Sequence, residues 1–214
     1  MEITIYISFL FLSIYFILIM FYVWGWIKLN VFNYTKDFNP VQVSIVIACR
    51  NEEQNIGKLL TSLLNQEYPK DKIEIILVND HSDDNTTNII NGFIQENQNI
   101  KLFILPEDLI GKKDAMTFGV KNACSELILT TDADCNAGPL WISSMVSYYL
   151  QYRPKLLSGP VLMENKTLFQ QLQTLEFASL VGSGAGAVGI NKAIMVNGAN
   201  LLFEKLNYLN SNKL

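Results

Sequence analysis

Two aspartates one residue apart, Asp132 and Asp134, end the apolar stretch "LILTTDADC" at residues 127–135. Side chains at positions i and i+2 of an extended segment point to the same side, so both carboxylates are predicted to face one space, with their α-carbons about 6 to 7 Å apart. Two like charges at that distance repel each other unless a cation neutralises them. Mg²⁺ is usually held by one or two carboxylates, while water and phosphate oxygens complete its octahedron. The pair therefore predicts a divalent cation that bridges the protein to a phosphate group.

Other polar residues follow two earlier apolar runs. Arg50 and Glu52 come directly after "VSIVIAC" at 43–49, and Asp80 follows "IEIILVN" at 73–79. The carboxyl ends of parallel strands meet at one edge of a sheet, and ligands of open α/β sheets bind there, so we expect these side chains to line one crevice. Each acid by itself is better explained as a helix cap or a turn residue. Their shared position after strands favours the crevice.

The elements that must position these residues alternate along the chain. Apolar runs typical of buried strands occupy residues 43–49, 73–80, 100–105, 126–135 and 155–163. Segments with helical spacing lie between them at 51–69, 83–98, 112–125 and 139–152. The acids Glu52 and Glu53 are predicted in the first turn of the first of these helices. The alternation predicts an α/β fold with a mostly parallel sheet.

An uncharged segment precedes this region, at residues 3–27. At about 1.5 Å per residue it is long enough to cross a hydrocarbon layer of about 30 Å, which predicts a transmembrane helix. The alternative is a cleaved signal peptide, which would carry a basic start and a small-residue cleavage site. Here Glu2 precedes the segment, and Trp24 and Trp26 lie near its end, as is typical of a membrane boundary.

The flanking charges predict an orientation. Lys28 and Lys36 follow the segment and no basic residue precedes it, so the positive-inside rule places the rest of the chain in the cytoplasm. We therefore expect a single-pass protein of the cell (inner) membrane. Its predicted parts are an anchor at residues 1–30, a linker at 31–40 and a folded domain at 41–214.

Composition excludes several classes of protein. The formal net charge of −4 and the isoelectric point near 5.0 give no basic surface for nucleic acid, so no nucleic-acid partner is expected. The three cysteines, Cys49, Cys124 and Cys135, are odd in number, far apart and not accompanied by clustered histidines. They indicate neither a disulfide framework nor a zinc site, and they are typical of a reducing compartment.

The motifs occur in a specific order: "VSIVIACRNEEQNI", "EIILVNDHSDDNT", "GKKDAM" and "TTDADC". Together they resemble family 2 glycosyltransferases, nucleotide-sugar enzymes with a Rossmann-like fold of the GT-A type, and the resemblance extends from about Val41 to Phe203. It implies a membrane-anchored enzyme that moves a sugar from a UDP- or GDP-sugar to the hydroxyl of a glycan or lipid-linked acceptor.

The resemblance also implies a role for each predicted site residue. The donor nucleotide is expected to bind Ala48, Arg50, Glu52, Asp80, Lys112 and Asp132. Asp132 and Asp134 resemble the motif that binds the diphosphate through Mg²⁺ or Mn²⁺, a Lewis acid that stabilises charge on the leaving group. The alternative for Lys112 is a solvated lysine at a helix start.

The family further implies a general base, an aspartate some dozens of residues after the stretch similar to "NGANLLFEK". The sequence stops at Leu214, and Glu204, its last acid, occupies a position that varies in the family. We therefore assign no catalytic residue and expect a truncated chain in which donor binding survives and turnover is absent or feeble. Two alternatives stay open: a non-catalytic relative that binds nucleotide or scaffolds a membrane complex, and a different metal-dependent phosphate enzyme such as a phosphatase or nucleotidyltransferase.

One motif points elsewhere. The run "GAGAVG" at 184–189 matches the dinucleotide-binding pattern G-x-G-x-x-G, with Glu204 at a suitable distance. That pattern needs a strand before it and a helix after it. Here a helix-like pattern from Leu168 precedes the run and a strand-like stretch at 190–203 follows it, so we predict a flexible or membrane-proximal segment instead. The only histidine, His81, is interpreted as a turn residue, since no nucleophile for a hydrolase triad is identifiable.

Overall fold

The computed structural model describes residues 2–163 and 167–211, which form two compact units. One unit joins Asn33–Gly159 to the chain that begins at Gly198, and the other joins the N-terminal residues up to Phe32 to Pro160–Asn197. These units divide the chain differently from the predicted anchor at 1–30, linker at 31–40 and domain at 41–214, a division that stays a prediction.

The first unit contains a six-stranded sheet with the order β3-β2-β1-β4-β6-β5. Its strands are β1 Val43–Cys49, β2 Ile73–Asn79, β3 Ile100–Ile104, β4 Leu127–Thr130, β5 Leu156–Ser158 and β6 Leu201–Glu204. Strands β1 to β4 are parallel to one another, whereas β6 runs antiparallel to both β4 and β5. The predicted α/β fold with a mostly parallel sheet is confirmed.

Helices cover both faces of this sheet. They are α2 Ile56–Leu64, α3 Thr86–Glu96, α4 Lys112–Asn122, α5 Trp141–Tyr152 and α7 Lys205–Ser211, with a short 3-10 turn at Lys70–Lys72. Successive residues of β1 point to opposite faces of the sheet. Ile45 packs in the cluster that includes Leu59 of α2, and Val46 packs in the cluster that includes Val120 of α4. Gly119 lets α4 approach the sheet, because a Cβ there would overlap Val46.

The first sheet helix is shorter than predicted. The segment 51–69 was expected to be helical, but α2 spans only Ile56–Leu64 and has no acid in its first turn. The expectation that Glu52 and Glu53 lie in that turn is wrong. Their backbone N–H groups donate to the side chains of Thr86, the first residue of α3, and of Asp84 just before it, which holds this part of the chain outside the helix.

Two predicted strands are also too long. β4 ends at Thr130, where its pairing with β1 and β6 ends, and a turn follows in which the N–H of Cys135 donates to the carbonyl of Asp132 at 3.1 Å. Asp132 and Asp134 therefore lie in a turn, and the expectation of an extended segment there is wrong. The strand expected at 155–163 is reduced to β5, an edge strand that pairs with β6 alone.

The second unit contains α1, Glu2–Lys28, and α6, Leu168–Gly189. Among the described residues, one helix is long and apolar enough to cross a membrane by length and composition, and it is α1 from Ile3 to Lys28. Thr167 begins α6 with a capping box, in which its side chain and that of Gln170 bind each other's backbone N–H.

Glycines bring the two helices into backbone contact. A Cβ added to Gly186 would overlap the carbonyl of Tyr22, and one added to Gly189 would overlap the carbonyl of Gly25. The run at 184–189 is thus the C-terminal end of α6, so it is helical and not a flexible segment, while the alternative of a membrane-proximal segment stays a prediction. A dinucleotide-binding site needs this glycine pattern between a strand and a helix, and the described residues do not have that arrangement here.

Candidate functional site

A cavity of about 230 Å³ opens in the sheet unit at the carboxyl ends of β1, β2 and β4. It is lined by Ala48, Cys49, Arg50, Glu52, Asp80, Lys112, Asp132, Ala133 and Asp134. All seven residues that the sequence predicted for donor and metal binding are in this set. They converge because β1 and β2 end level with each other, with Cys49 paired to Asn79, and because the chain leaves β4 at the same edge of the sheet.

Asp80 is the most deeply buried acid of the cavity, with 4% of its surface exposed. Its Oδ2 accepts a hydrogen bond from the N–H of Gly111 at 3.1 Å and lies 3.8 Å from Nη1 of Arg50. Its Oδ1 lies 3.1 Å from Nδ1 of His81. His81 has a φ of 54°, which agrees with its interpretation as a turn residue. These neighbours hold the Asp80 carboxylate in place at the cavity wall.

The loops after β1 and β2 are joined by hydrogen bonds that the sequence analysis missed. The N–H of Asn51 donates to Oγ of Ser82 at 3.0 Å, and the N–H of Glu52 donates to Oγ1 of Thr86 at 2.8 Å. Asn51 has a φ of 56°, a conformation that asparagine tolerates better than most residues. The signal was present as a run of short polar side chains, which commonly bind backbone N–H groups. The two loops together form one wall of the cavity.

A further bond of this wall involves Asp84. Its Oδ2 accepts from the N–H of Glu53 at 3.0 Å, and its Oδ1 accepts from the N–H of Thr86 at 2.9 Å. Desolvation opposes ionisation of this carboxyl, but the hydrogen bonds from Thr86 and Glu53 outweigh it and lower the pKa of Asp84. The charged carboxylate of Asp84 therefore links the loop after β1 to the start of α3.

Lys112 and Asp132, which also line the cavity, form an ion pair with 2.6 Å between Nζ and Oδ1. Lys112 is the first residue of α4 and follows Gly111, whose φ of 93° suits glycine. The lysine lies at a helix start with 62% of its side chain exposed, so the alternative of a solvated lysine is not contradicted, although the lysine has an acidic partner. One of the two predicted metal ligands has a protein cation as its partner.

The cavity carries an excess of negative charge. Its lining includes four carboxylates and two cationic side chains, which leaves two negative charges to be neutralised. Among the residues that the structure describes, no three His, Cys, Asp or Glu side chains converge as a metal-binding group. The residues present fit a divalent cation that Asp132 and Asp134 bind on one side, provided that phosphate oxygens and water supply its other ligands.

The thiols of the cavity region are poor nucleophiles. Burial raises the pKa of Cys49 to about 12, with added repulsion from Glu52, and its Sγ–H donates to the carbonyl of Val78. Desolvation likewise raises the pKa of Cys135. Because the thiolate is the reactive form, neither cysteine is suited to covalent catalysis near neutral pH.

A larger cavity, of about 480 Å³, lies along α2 and is lined by Gly57, Lys58, Thr61, Ser62, Asn65 and Asn136. It contains no carboxylate and a single charged side chain. We base the functional assignment on the smaller cavity, because only there do acids and cations converge in a pattern that can bind a metal and a phosphate.

Solved structures share this fold. The mannosyltransferase PcManGT from Pyrobaculum calidifontis, in complex with GDP-Man and Mn²⁺, aligns with a TM-score of 0.66 at 19% identity over 87% of this chain and 52% of that one. S. aureus TarS 1–349 aligns with a TM-score of 0.59, also at 19% identity, over 81% of this chain and 49% of that one. The fold is that of the GT-A class.

The sequence relatives narrow the class to a family. The pattern described as "Glycosyl transferase family 2" matches residues 44–204, and the chain belongs to that family. It is 32% identical over 171 residues to the poly-beta-1,6-N-acetyl-D-glucosamine synthase of Staphylococcus epidermidis, covering 76% of this chain and 39% of that protein. It is 30% identical over 213 residues to the synthase of the same name from Staphylococcus aureus strain COL, covering 91% of this chain and 48% of that protein. The chain thus spans less than half the length of these curated relatives, and the predicted family is confirmed.

Proposed function

We propose that this chain binds the donor in a membrane-anchored glycosyltransferase, which moves a sugar from a nucleotide diphosphate sugar to an acceptor hydroxyl on a lipid-linked or cell-envelope glycan. The observation that carries the proposal is the convergence of all seven predicted residues on one cavity with two negative charges in excess. Such a cavity suits a ligand that arrives with a divalent cation.

The donor nucleoside is assigned to the wall formed by β1 and β2. Arg50 and Glu52 supply a donor and an acceptor for polar groups of the base and ribose, beside Ala48, whose small side chain leaves room for a ring. Asp80, fixed by Gly111 and Arg50, is suited to accept hydrogen bonds from ribose hydroxyls. TarS has been solved with UDP-GlcNAc and PcManGT with GDP-Man, so UDP- and GDP-sugars are the donors to test first.

The diphosphate is assigned to the wall formed by Lys112, Asp132 and Asp134. Bound Mg²⁺ or Mn²⁺ would act there as a Lewis acid that offsets charge on the departing nucleotide. Lys112 neutralises Asp132 in this structure. We infer that Lys112 leaves Asp132 when the metal and the donor bind, and that its ammonium then contributes positive charge to the phosphates.

Membrane anchoring is assigned to α1. The helix is uncharged from Ile3 to Ile27, and the side chains of this segment are largely exposed, which a lipid environment would explain. The lysines after it support a cytoplasmic location for the sheet unit.

The test is calorimetry on the full chain in detergent micelles, titrated with UDP and with GDP in the presence and absence of Mn²⁺. Wild type should bind at least one of the two nucleotides in a metal-dependent manner, and Asp134→Ala should lose that binding. Asp71→Ala serves as the matched control, because Asp71 is an exposed acid at the amino end of β2, away from the cavity. Equal binding by wild type and Asp134→Ala would contradict the metal assignment. Sugar transfer is to be assayed separately, since donor binding does not require turnover.

A further inference from the structure

A single stripe of residues runs along the whole length of α6. Its members are spaced alternately by four and three residues, which keeps them on one face of a helix. They are Leu168, Leu172, Leu175, Ser179, Gly182, Gly186 and Gly189. The first half of the stripe consists of leucines and the second half of serine and glycines. One helix face therefore presents large apolar side chains at one end and small residues at the other.

The glycine half of the stripe is the contact with α1. Gly186 and Gly189 meet the backbone of α1 at Tyr22 and Gly25, and a Cβ on Gly182 would overlap the ring of Trp26. Small residues at such a crossing let two helix backbones touch, which is typical of helix pairs in membranes. The spacing that matched a dinucleotide motif therefore serves helix packing.

The crossing lies at one end of α1. Gly25 stands between Trp24 and Trp26, and the ammonium of Lys28 lies 3.6 Å from the centre of the Trp24 ring. Tryptophan and lysine are enriched where a membrane helix enters the headgroup region. The C-terminal half of α6 is thus attached to α1 at the level expected for the membrane surface.

The leucine half of the stripe is exposed. Leu168, Leu172 and Leu175 have 75%, 59% and 69% of their surface accessible, and the neighbouring Phe169 has 70%. Over its 22 residues α6 contains one charged side chain, Glu176. A helix on a water-exposed protein surface usually carries many charges on its outer face, so a contiguous apolar face of this kind indicates a contact that excludes water.

The chain on either side of α6 is also apolar. Leu162 before the helix and Ile194 after it are exposed at 86% and 60%. The chain after α6 folds back so that the carbonyl of Met195 lies 3.2 Å from the position of a Cβ at Gly184. Exposed apolar side chains therefore flank the leucine face within the same unit.

We propose that the leucine face of α6 is embedded in the membrane interface, so that α1 and α6 form a two-helix membrane module in which α6 contacts lipid acyl chains. Lipid is the occupant because the leucine face continues, along α6, the row of glycines that contacts α1. That contact lies at the end of α1 expected at the membrane surface. The inference rests on the proposed anchoring by α1.

Spin labelling of the full chain in phosphatidylcholine–phosphatidylglycerol vesicles tests the proposal. Single cysteines replace Leu172, Leu175 or Gln173 after Cys49→Ala, Cys124→Ser and Cys135→Ser. Gln173 is the matched control, because it neighbours Leu172 but lies away from the stripe. Ser13→Cys in α1 reports on the anchor separately. Collision with O₂, which concentrates among acyl chains, is compared with collision with a water-soluble nickel chelate.

Labels at Leu172 and Leu175 should collide more with O₂ than with nickel, whereas the label at Gln173 should show the reverse. Nickel access at all three positions, with the Ser13 label still in the acyl layer, would overturn the proposal and leave the anchor intact. Nickel access at Ser13 as well would overturn the anchor. Labels at the leucine positions that are shielded from both reagents and broadened by a nearby second label would show a second copy in place of lipid, and would also overturn the proposal.

Discussion

The two ends of the parallel sheet use acidic residues in opposite ways. At the amino end, Glu74 of β2 is nearly buried, with 13% of its side chain exposed. Its Oε1 accepts from Nζ of Lys101 at 2.7 Å, and its Oε2 accepts from the N–H of Cys124 at 2.9 Å and from the hydroxyl of Ser44. Burial disfavours ionisation of this carboxyl, but the bonds from Lys101, Ser44 and Cys124 outweigh it and lower its pKa.

At the carboxyl end, the acids retain capacity for further ligands. Asp132 binds Lys112 through one oxygen, and Asp134 is exposed beside the cavity, near only the weak donor Sγ–H of Cys135 at 3.9 Å among the described contacts. A fully bonded carboxylate stabilises the fold, whereas carboxylates with unused lone pairs around a cavity are available to a cation. The degree of hydrogen bonding, more than the residue type, separates a structural acid from a binding acid.

The largest effect is expected from Glu74→Ala. Removal of the carboxylate leaves the buried Ser44 hydroxyl and the Cys124 N–H without their acceptor, and we expect the free energy of unfolding to fall by about 2 kcal/mol. The melting temperature should fall by about 4 to 8 °C in thermal unfolding followed by circular dichroism in micelles. Glu126→Ala, which removes an exposed acid just before β4, is the control. Nucleotide binding by Glu74→Ala at low temperature should be unchanged. Equal melting temperatures for the two variants would contradict the structural role of Glu74.

The converse variant neutralises Asp132 and Asp134, the two acids proposed to bind the metal. Asp132→Asn combined with Asp134→Asn should weaken Mn²⁺-dependent nucleotide binding at least about tenfold, or about 1.4 kcal/mol. The melting temperature should change little, because Asp134 is exposed and the exposed ion pair of Asp132 with Lys112 contributes at most about 1 kcal/mol. Calorimetry and thermal unfolding on the same sample separate the two effects. A large loss of stability with intact binding would reverse the roles assigned to the two ends of the sheet.

Lys112→Met tests the ion pair between Lys112 and Asp132 in the cavity. Without the lysine, Asp132 is free for a cation, so Mn²⁺ in the absence of nucleotide should bind up to about fivefold more tightly, since an exposed ion pair contributes up to about 1 kcal/mol. Nucleotide affinity should fall at the same time, because a positive charge near the phosphates is lost. Lys113→Met changes the neighbouring exposed lysine and should alter neither quantity. Weaker Mn²⁺ binding by Lys112→Met would show that the lysine does not compete with the metal.

The smallest effect is a pH dependence of stability. The folded-state pKa of Glu74 lies below its ordinary value of 4.5, so its contribution is fully present above that value and is lost as the pH falls through the folded pKa. Between about pH 5 and 3, wild type should therefore lose stability faster than Glu74→Gln. Denaturant unfolding across this range measures the slopes, and parallel curves for the two proteins would contradict the prediction.

The positions of the site residues were predictable from sequence because of one topological rule. Arg50, Asp80 and Asp132 follow apolar runs that alternate with helices, and parallel strands must end at a common edge. The hydrogen bonds between the loops were not predictable in detail. The partners of Glu52 and Glu53 lie more than thirty positions away along the chain, so nothing local showed that α2 would begin as late as Ile56.

The sequence by itself determined the alternation of strands and helices, the apolar helix at the N-terminus and the acidic residues at the strand ends, because periodicity and residue type are local properties. Tertiary structure decided that Asp132 is paired with Lys112 in a turn, that Glu74 is fully bonded, and that the glycines of α6 pack against α1. These outcomes depend on which distant backbone and side-chain groups come within bonding distance, and neither spacing nor composition contains that information.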